Sequence, residues 1–178
     1  MYQEVLSFWF EELTSKMWWQ KDAALDNRIR ERFAALHQQA RQGELYTWRS
    51  VARGALAEII VLDQFSRNIY RDTPRAFESD SVALVLAQEA VAKGFDRQLG
   101  KVECSFLYMP YMHSESALIH EEALKLFAEL GEPGNLNFER KHKAIIDRFG
   151  RYPHRNLILG RTSTPEERVF LKQPNSGF

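Results

Sequence analysis

Hydrophobic residues recur at helical spacing from one end of this chain to the other, and nowhere do they alternate with polar ones for long. Tyr2, Val5, Leu6, Trp9 and Leu13 form the apolar face of a first helix, followed by an aromatic turn at Met17, Trp18 and Trp19. Leu25, Ile29, Phe33, Leu36 and Ala40 define a second helix that stops at Gly43; Arg28, Arg30, Arg32 and His37 read as its solvated side. A third helix begins near Ser50. Its stretch ALAEIIVL (residues 55–62) is apolar on nearly every side except at Glu58, the pattern of a helix buried all round. Polar groups follow at once: Asp63, Gln64, Ser66, Arg67 and Asn68, with Phe65, Ile69 and Tyr70 between them. Asp63 and Arg67 stand four apart, acid first, the favourable order for an ion pair on one helix face.

Further along, Thr73-Pro74 reads as a helix start and Asp80 as the cap of the next helix. That helix turns Val82, Val85, Leu86 and Ala90 inward and ends at Gly94. Lys101 to Tyr111 is predicted helical, with Cys104, Leu107 and Tyr108 on one side and Pro110 ending or kinking it. Ser114 is placed to cap a helix running to Leu130, with Ile119, Ala123, Leu126, Phe127 and Leu130 buried. Glu132-Pro133-Gly134 reads as a turn. Phe138, His142, Ile145 or Ile146, and Phe149 give another amphipathic helix, closed by Gly150. If Pro153 opens a short turn, His154 shares a face with Leu157 and Ile158 and points inward or into a cleft, while Arg155 lies on a neighbouring face. Thr164-Pro165-Glu166-Glu167 has capping-box spacing. The expected fold class is all-α: about eight helices in stacked antiparallel pairs, one domain over residues 1–178.

Charge and composition narrow the classes of function. Lysines plus arginines number 24 and aspartates plus glutamates 24, which argues against a general nucleic-acid or anionic-membrane surface. Cys104 is the one cysteine, so neither an internal disulfide nor a cysteine-based zinc site is available; a reducing cytoplasm is the expected location, and the thiol reads as a small buried hydrophobe. The first residues, MYQEVLSFWFEEL, lack the basic start of a secretory signal, and no apolar run is long enough to span a bilayer.

P-loop, GxGxxG and GxSxG patterns are missing from the sequence. Two segments concentrate groups that chemistry uses: His113 with Glu115, and His154 with Arg155 and Asn156. A histidine with a carboxylate partner can act as an acid–base pair near neutral pH. His-x-Glu alone is a poor metal signal, so no metal and no cofactor is expected. His142, on an apolar face, reads as a core histidine, and His120 could face either way.

Three stretches carry a family resemblance: LDQFSRNIYRDTPRAFESD (residues 62–80), FLYMPYMHSES (residues 106–116) and FGRYPHRNLILGRTSTPEE (residues 149–167). Together they resemble the mostly bacterial family catalogued as domain of unknown function 924. The resemblance implies a fold similar to tetratricopeptide-repeat-like proteins, with stacked helix pairs, and brings no activity with it. It also implies an arginine near Cys104 and a proline near Ser66. This chain has neither, and those two positions are not counted as site residues.

Three readings of function follow. One is a polar cleft that binds a small anionic molecule or a peptide through Asp63, Arg67, Asn68, Arg155, Asn156 and Arg161. Another is a hydrolytic or acid–base enzyme using His113, Glu115 and His154. The third is a structural network in which the same groups staple helices together. The expectation taken forward is that His113, Glu115, His154 and Arg155 converge with Arg67 on one cleft; the oligomeric state stays open.

Overall fold

The computed structural model describes residues 1–174, 176 and 177. Among them the chain forms eight helices and no strand: α1 (residues 2–12), α2 (Ala23–Arg41), α3 (residues 52–69), α4 (Asp80–Ala92), α5 (Lys101–Met112), α6 (Ala117–Leu130), α7 (Pro133–Phe149) and α8 (Pro165–Phe170). Single turns of 3₁₀ helix punctuate the connections. Asp22 starts α2 by accepting from the N–H groups of Ala24 and Leu25 at 2.8 and 3.2 Å. Gly150, at φ +67°, ends α7 in the left-handed conformation that glycine takes without strain.

The all-round apolar stretch becomes the centre of the molecule. Every residue from Ala55 to Leu62 is buried, and α3 packs on α1, α2, α4 and α5. Phe8, Trp9, Phe33, Phe65 and Phe106 meet edge-on or tilted around it. Glu58 is the one charge in that stretch. It is held by a bidentate Arg49, with both bonds at 2.7 Å. Gly54 lets the start of α3 close on the preceding turn, since a Cβ there would sit 2.1 Å from the Trp48 carbonyl oxygen. The later helices follow in order: α5 packs on α6, and α6 on α7, across short connections. A small second cluster of Ile145, Ile146 and Tyr152, with Phe149 and Phe170, anchors the last segment.

Several details differ from the sequence reading. His37 faces the core, not solvent: its Nε2–H donates to Ser66 Oγ at 2.7 Å, because that hydroxyl already gives its proton to the Leu62 carbonyl. Its spacing from Ile29 and Phe33 places it on the buried face. In α4 the inward residues are Ala83, Leu86, Ala87 and Ala90, while Val82 and Val85 are 45% and 59% exposed. Small residues are turned to α3, and the larger valines are left outside. Pro133 begins α7 rather than sitting in a turn. Buried Glu139 replaces exposed Phe138 on the inner face of α7. Ser116, not Ser114, occupies the N-cap of α6. Leu157 is 92% exposed, so the turn after Pro153 sends Arg155 and Asn156 inward instead.

Candidate functional site

The site begins with an irregularity in α3. Residues Val61–Phe65 form a π-helical turn, wider than α, which places Asp63 in the interior just where the apolar stretch ends. Asp63 Oδ1 lies 2.7 Å from His113 Nδ1, and Oδ2 accepts from Gln64 at 2.6 Å. One turn on, Arg67 reaches back to the Asp63 carbonyl at 2.8 Å and its carboxylate at 3.2 Å. The same guanidinium forks onto both oxygens of Asp80, at 2.9 and 3.0 Å. Asp80 is the first residue of α4, so Arg67 ties α3 to α4.

His113 ends α5, and its backbone carbonyl accepts from Arg155 at 3.1 Å. The Arg155 guanidinium is sandwiched between the rings of Phe77 and Tyr152, 4.6 Å from each centroid. Its contact with Asp80 is long, at 3.4 Å, and its Nε–H is buried with no hydrogen-bond partner among the described residues.

Electrostatics follow from these distances. Burial works against the charge on Asp63, but Arg67 and His113 hold its pKa below the ordinary carboxylate range. The same two carboxylates, Asp63 and Asp80, raise Arg67 despite its burial. Burial and the nearby Arg67 push His113 down from 6.5, so the ring is neutral near pH 7. With Asp63 ionised, the proton sits on Nδ1. Nε2 then carries the free lone pair and has no protein partner among the described residues. Arg155 is lowered by burial and by Arg67, against the pull of Asp80 and Glu115.

His113, Asp80, Glu115 and Arg155 border one open cleft of about 370 Å³, with Phe77, Leu84, Pro110 and Leu159 on its apolar walls. Asp63 and Arg67 lie one layer behind it. The other expected residues are placed elsewhere. Asn68 donates to Asp26 in a separate cluster with Arg71. His154 is not among the residues lining the cleft; its ring stands 5.5 Å from that of Tyr152, and burial lowers its pKa to about 4. Glu115 is not the carboxylate bonded to His113. Its oxygens are taken by Arg161 at 2.6 and 2.9 Å and by the Tyr152 N–H at 2.7 Å. Arg161 also donates to Asn156 Oδ1 at 2.9 Å, and Asn156 donates to Glu167 at 3.2 Å. Glu167 closes the chain of contacts through Arg151 and the capping box with Thr164.

So the expected cluster divides into a half that opens on the cleft and a half that is closed on itself. Sequence reasoning read Asp80 only as a cap and gave Phe77 no role. Both sit in the stretch that carries the family resemblance, which was the available signal. Among the described residues, no group of three histidine, cysteine or acidic side chains is arranged to hold a metal ion, and no helix is long and apolar enough to cross a membrane.

Comparison with known proteins agrees on the fold and adds no chemistry. Residues 5–175 match the family described as "Bacterial protein of unknown function (DUF924)". A solved structure of a protein of unknown function from Agrobacterium tumefaciens superposes with a TM-score of 0.92 at 35% identity, covering 97% of each chain. No curated protein matches.

Proposed function

The chain belongs to the bacterial DUF924 family, and from that footing we propose that the cleft beside α4 holds a small anionic molecule. Arg155 supplies its cation, and His113 is a base able to exchange a proton with it. One observation carries the reading: the 2.7 Å Asp63–His113 contact, with His113 among the residues that line the cleft. A buried carboxylate that fixes Nδ1–H orients the ring and keeps Nε2 basic. Arg155 supports the anionic character. Arg67 takes both oxygens of Asp80, so Arg155 keeps one long contact and one carbonyl for five N–H groups. A buried cation served this thinly gains from an anion. The cleft volume lies within the ~300–1,000 Å³ of ordinary small-molecule sites.

The saturation of Glu115 favours a second, structural role for the other half. Glu115, Arg161, Asn156 and Glu167 spend their hydrogen bonds on one another and hold the segment after α7 against the α5–α6 turn. On this reading any proton transfer to a bound molecule is the work of His113, not of Glu115 or His154.

The test is native mass spectrometry of protein purified without added ligand, followed by thermal-shift measurement across a panel of small anions. Wild type is expected to retain an anion or to gain midpoint with one of the panel. Arg155→Gln should abolish that response, whereas Arg161→Gln should lower the midpoint and keep it. A panel without effect on wild type, joined to a bare mass, counts decisively against the proposal.

A further inference from the structure

Resting on the cleft reading above, we infer that the molecule taken is a small monocarboxylic acid with an apolar tail, bound with uptake of one proton between its carboxylate and His113 Nε2. Three features point there. The first is the composition of the lining. The Arg155 guanidinium, 3.1 Å from the His113 carbonyl, supplies a charged part of the lining. Pro74, Phe77, Leu84, Pro110 and Leu159 supply an apolar part of the wall, with Glu78, Ser81 and Ser114 also lining it. A ligand that carries both a charged group and an apolar part fits such a mixed lining.

The second is charge. The inner carboxylates Asp63, Asp80 and Glu115 are matched by Arg67, Arg155 and Arg161, pair against pair. An added monoanion leaves one negative charge in excess unless His113 becomes protonated, and an uncompensated charge in a partly dry site is costly. One proton on Nε2 restores the balance. A doubly charged phosphate would overshoot it, since His113 can take only one.

The third is the state of His113. Asp63 already holds Nδ1, so a proton arriving at Nε2 yields an imidazolium flanked by two carboxylates, Asp63 and that of the ligand. The balance is simple: the ligand enters as its carboxylate, the buffer acid gives up one proton, Nε2 gains it, and no covalent bond between heavy atoms changes. Burial and Arg67 keep the ring neutral before binding, so the uptake takes place on binding.

The experiment is isothermal titration of the intact protein with hexanoate, acetate, N-acetyl-leucine and inorganic phosphate. Each is measured at pH 7 in two buffers of different ionisation enthalpy. Hexanoate should bind more than about tenfold tighter than acetate, phosphate should not compete, and the buffer difference should report uptake approaching one proton. Affinity for hexanoate should fall about tenfold per pH unit between the free-state and the bound-state pKa of His113 and level off above the latter. Leu84→Asn should weaken hexanoate and leave acetate unchanged, and His113→Gln should remove the proton uptake. If His113→Gln does not fold, the two-buffer measurement on wild type still decides. Preference for N-acetyl-leucine over hexanoate would support the carboxylate chemistry and assign its source to a peptide C-terminus. Binding of phosphate alone, equal binding of acetate and hexanoate, or hexanoate binding without proton uptake would overturn the inference and leave the anion cleft standing. No binding by any of the four would remove both.

Discussion

Two histidines of this protein begin from the same contact and end in opposite situations. His113 Nδ1 lies 2.7 Å from Asp63, and His120 Nδ1 lies 2.7 Å from Glu139. The difference is at the other nitrogen. His120 Nε2 faces the Ser114 carbonyl at 2.8 Å and the Tyr152 hydroxyl at 3.2 Å, and that hydroxyl gives its own proton to the Met112 carbonyl. Nε2 must therefore be the donor, and a single proton is left between Nδ1 and Glu139. Burial raises the Glu139 pKa, with His120 opposing, in keeping with that shared proton. Every polar position of His120 is spent inside the protein, whereas His113 keeps one for the cleft. A His–carboxylate contact is thus no sign of a site by itself; what the second nitrogen meets decides.

The largest expected effect comes from removing each histidine in turn. His120→Ala leaves Glu139, fully buried, with no partner for the oxygen that faced the ring, and should cost about 3–5 kcal/mol. Asp63 would still have Arg67 and Gln64 after His113→Ala, so that change should cost only about 1–3 kcal/mol. Urea unfolding of the two variants measures both. Equal losses would erase the distinction between a closed pair and an open one.

Protons offer a second way to press the contrast. Burial depresses His37, His142 and His154 from an ordinary 6.5 to about 4, about 3 and about 4, respectively. For a depressed folded-state value the unfolded chain binds the proton first. The stability these residues contribute is therefore complete above pH 6.5 and is lost as pH falls towards 4. Each can contribute a slope of up to about 1.4 kcal/mol per pH unit in that window. Glu139, shifted upward, acts in the reverse sense: its contribution is present at low pH and lost as pH rises through its folded-state value. The urea midpoint is expected to fall between pH 7 and pH 5, less steeply in His37→Gln. A flat profile would show that these rings take up protons in the folded protein as readily as in the unfolded chain.

Much of the fold was legible because burial leaves a periodic trace. The apolar stretch at residues 55–62 announced a central helix, and the Thr164–Glu167 spacing announced a cap; both are found. The inner face of α4 was misread because Val outranks Ala in hydrophobicity, while close helix packing selects Ala83, Ala87 and Ala90 for their size. The site was legible as segments and not as pairs. His113 and Asp63 are 50 residues apart, and Arg155 and Asp80 are 75 apart, and no helical spacing links positions so distant. Glu115 was drawn towards His113 by adjacency in sequence, yet its contacts lie with Arg161 and Tyr152 across the turn.

The smallest expected effect lies at the far end of the closed half. Thr164 Oγ1 accepts from the Glu167 N–H at 3.1 Å, and Glu167 Oε2 accepts from the Thr164 N–H at 2.7 Å, the reciprocal bonds of a capping box. Thr164→Ala deletes the first bond and leaves the second, so the cost should be about 1 kcal/mol. Glu167 is also held by Arg151, whose bond pulls its pKa down to about 2, and by Asn156. That anchoring keeps the carboxylate in place without the hydroxyl, which is why the loss should stay near a single cap. The same anchoring runs through Asn156 and Arg161 to Glu115 at the rim of the cleft. Hydrogen exchange of α8 should quicken in Thr164→Ala, while the shift produced by a cleft-bound anion stays at its wild-type value. A weakened anion response would mean that the two halves act as one unit, and the division between open and closed regions would have to be given up.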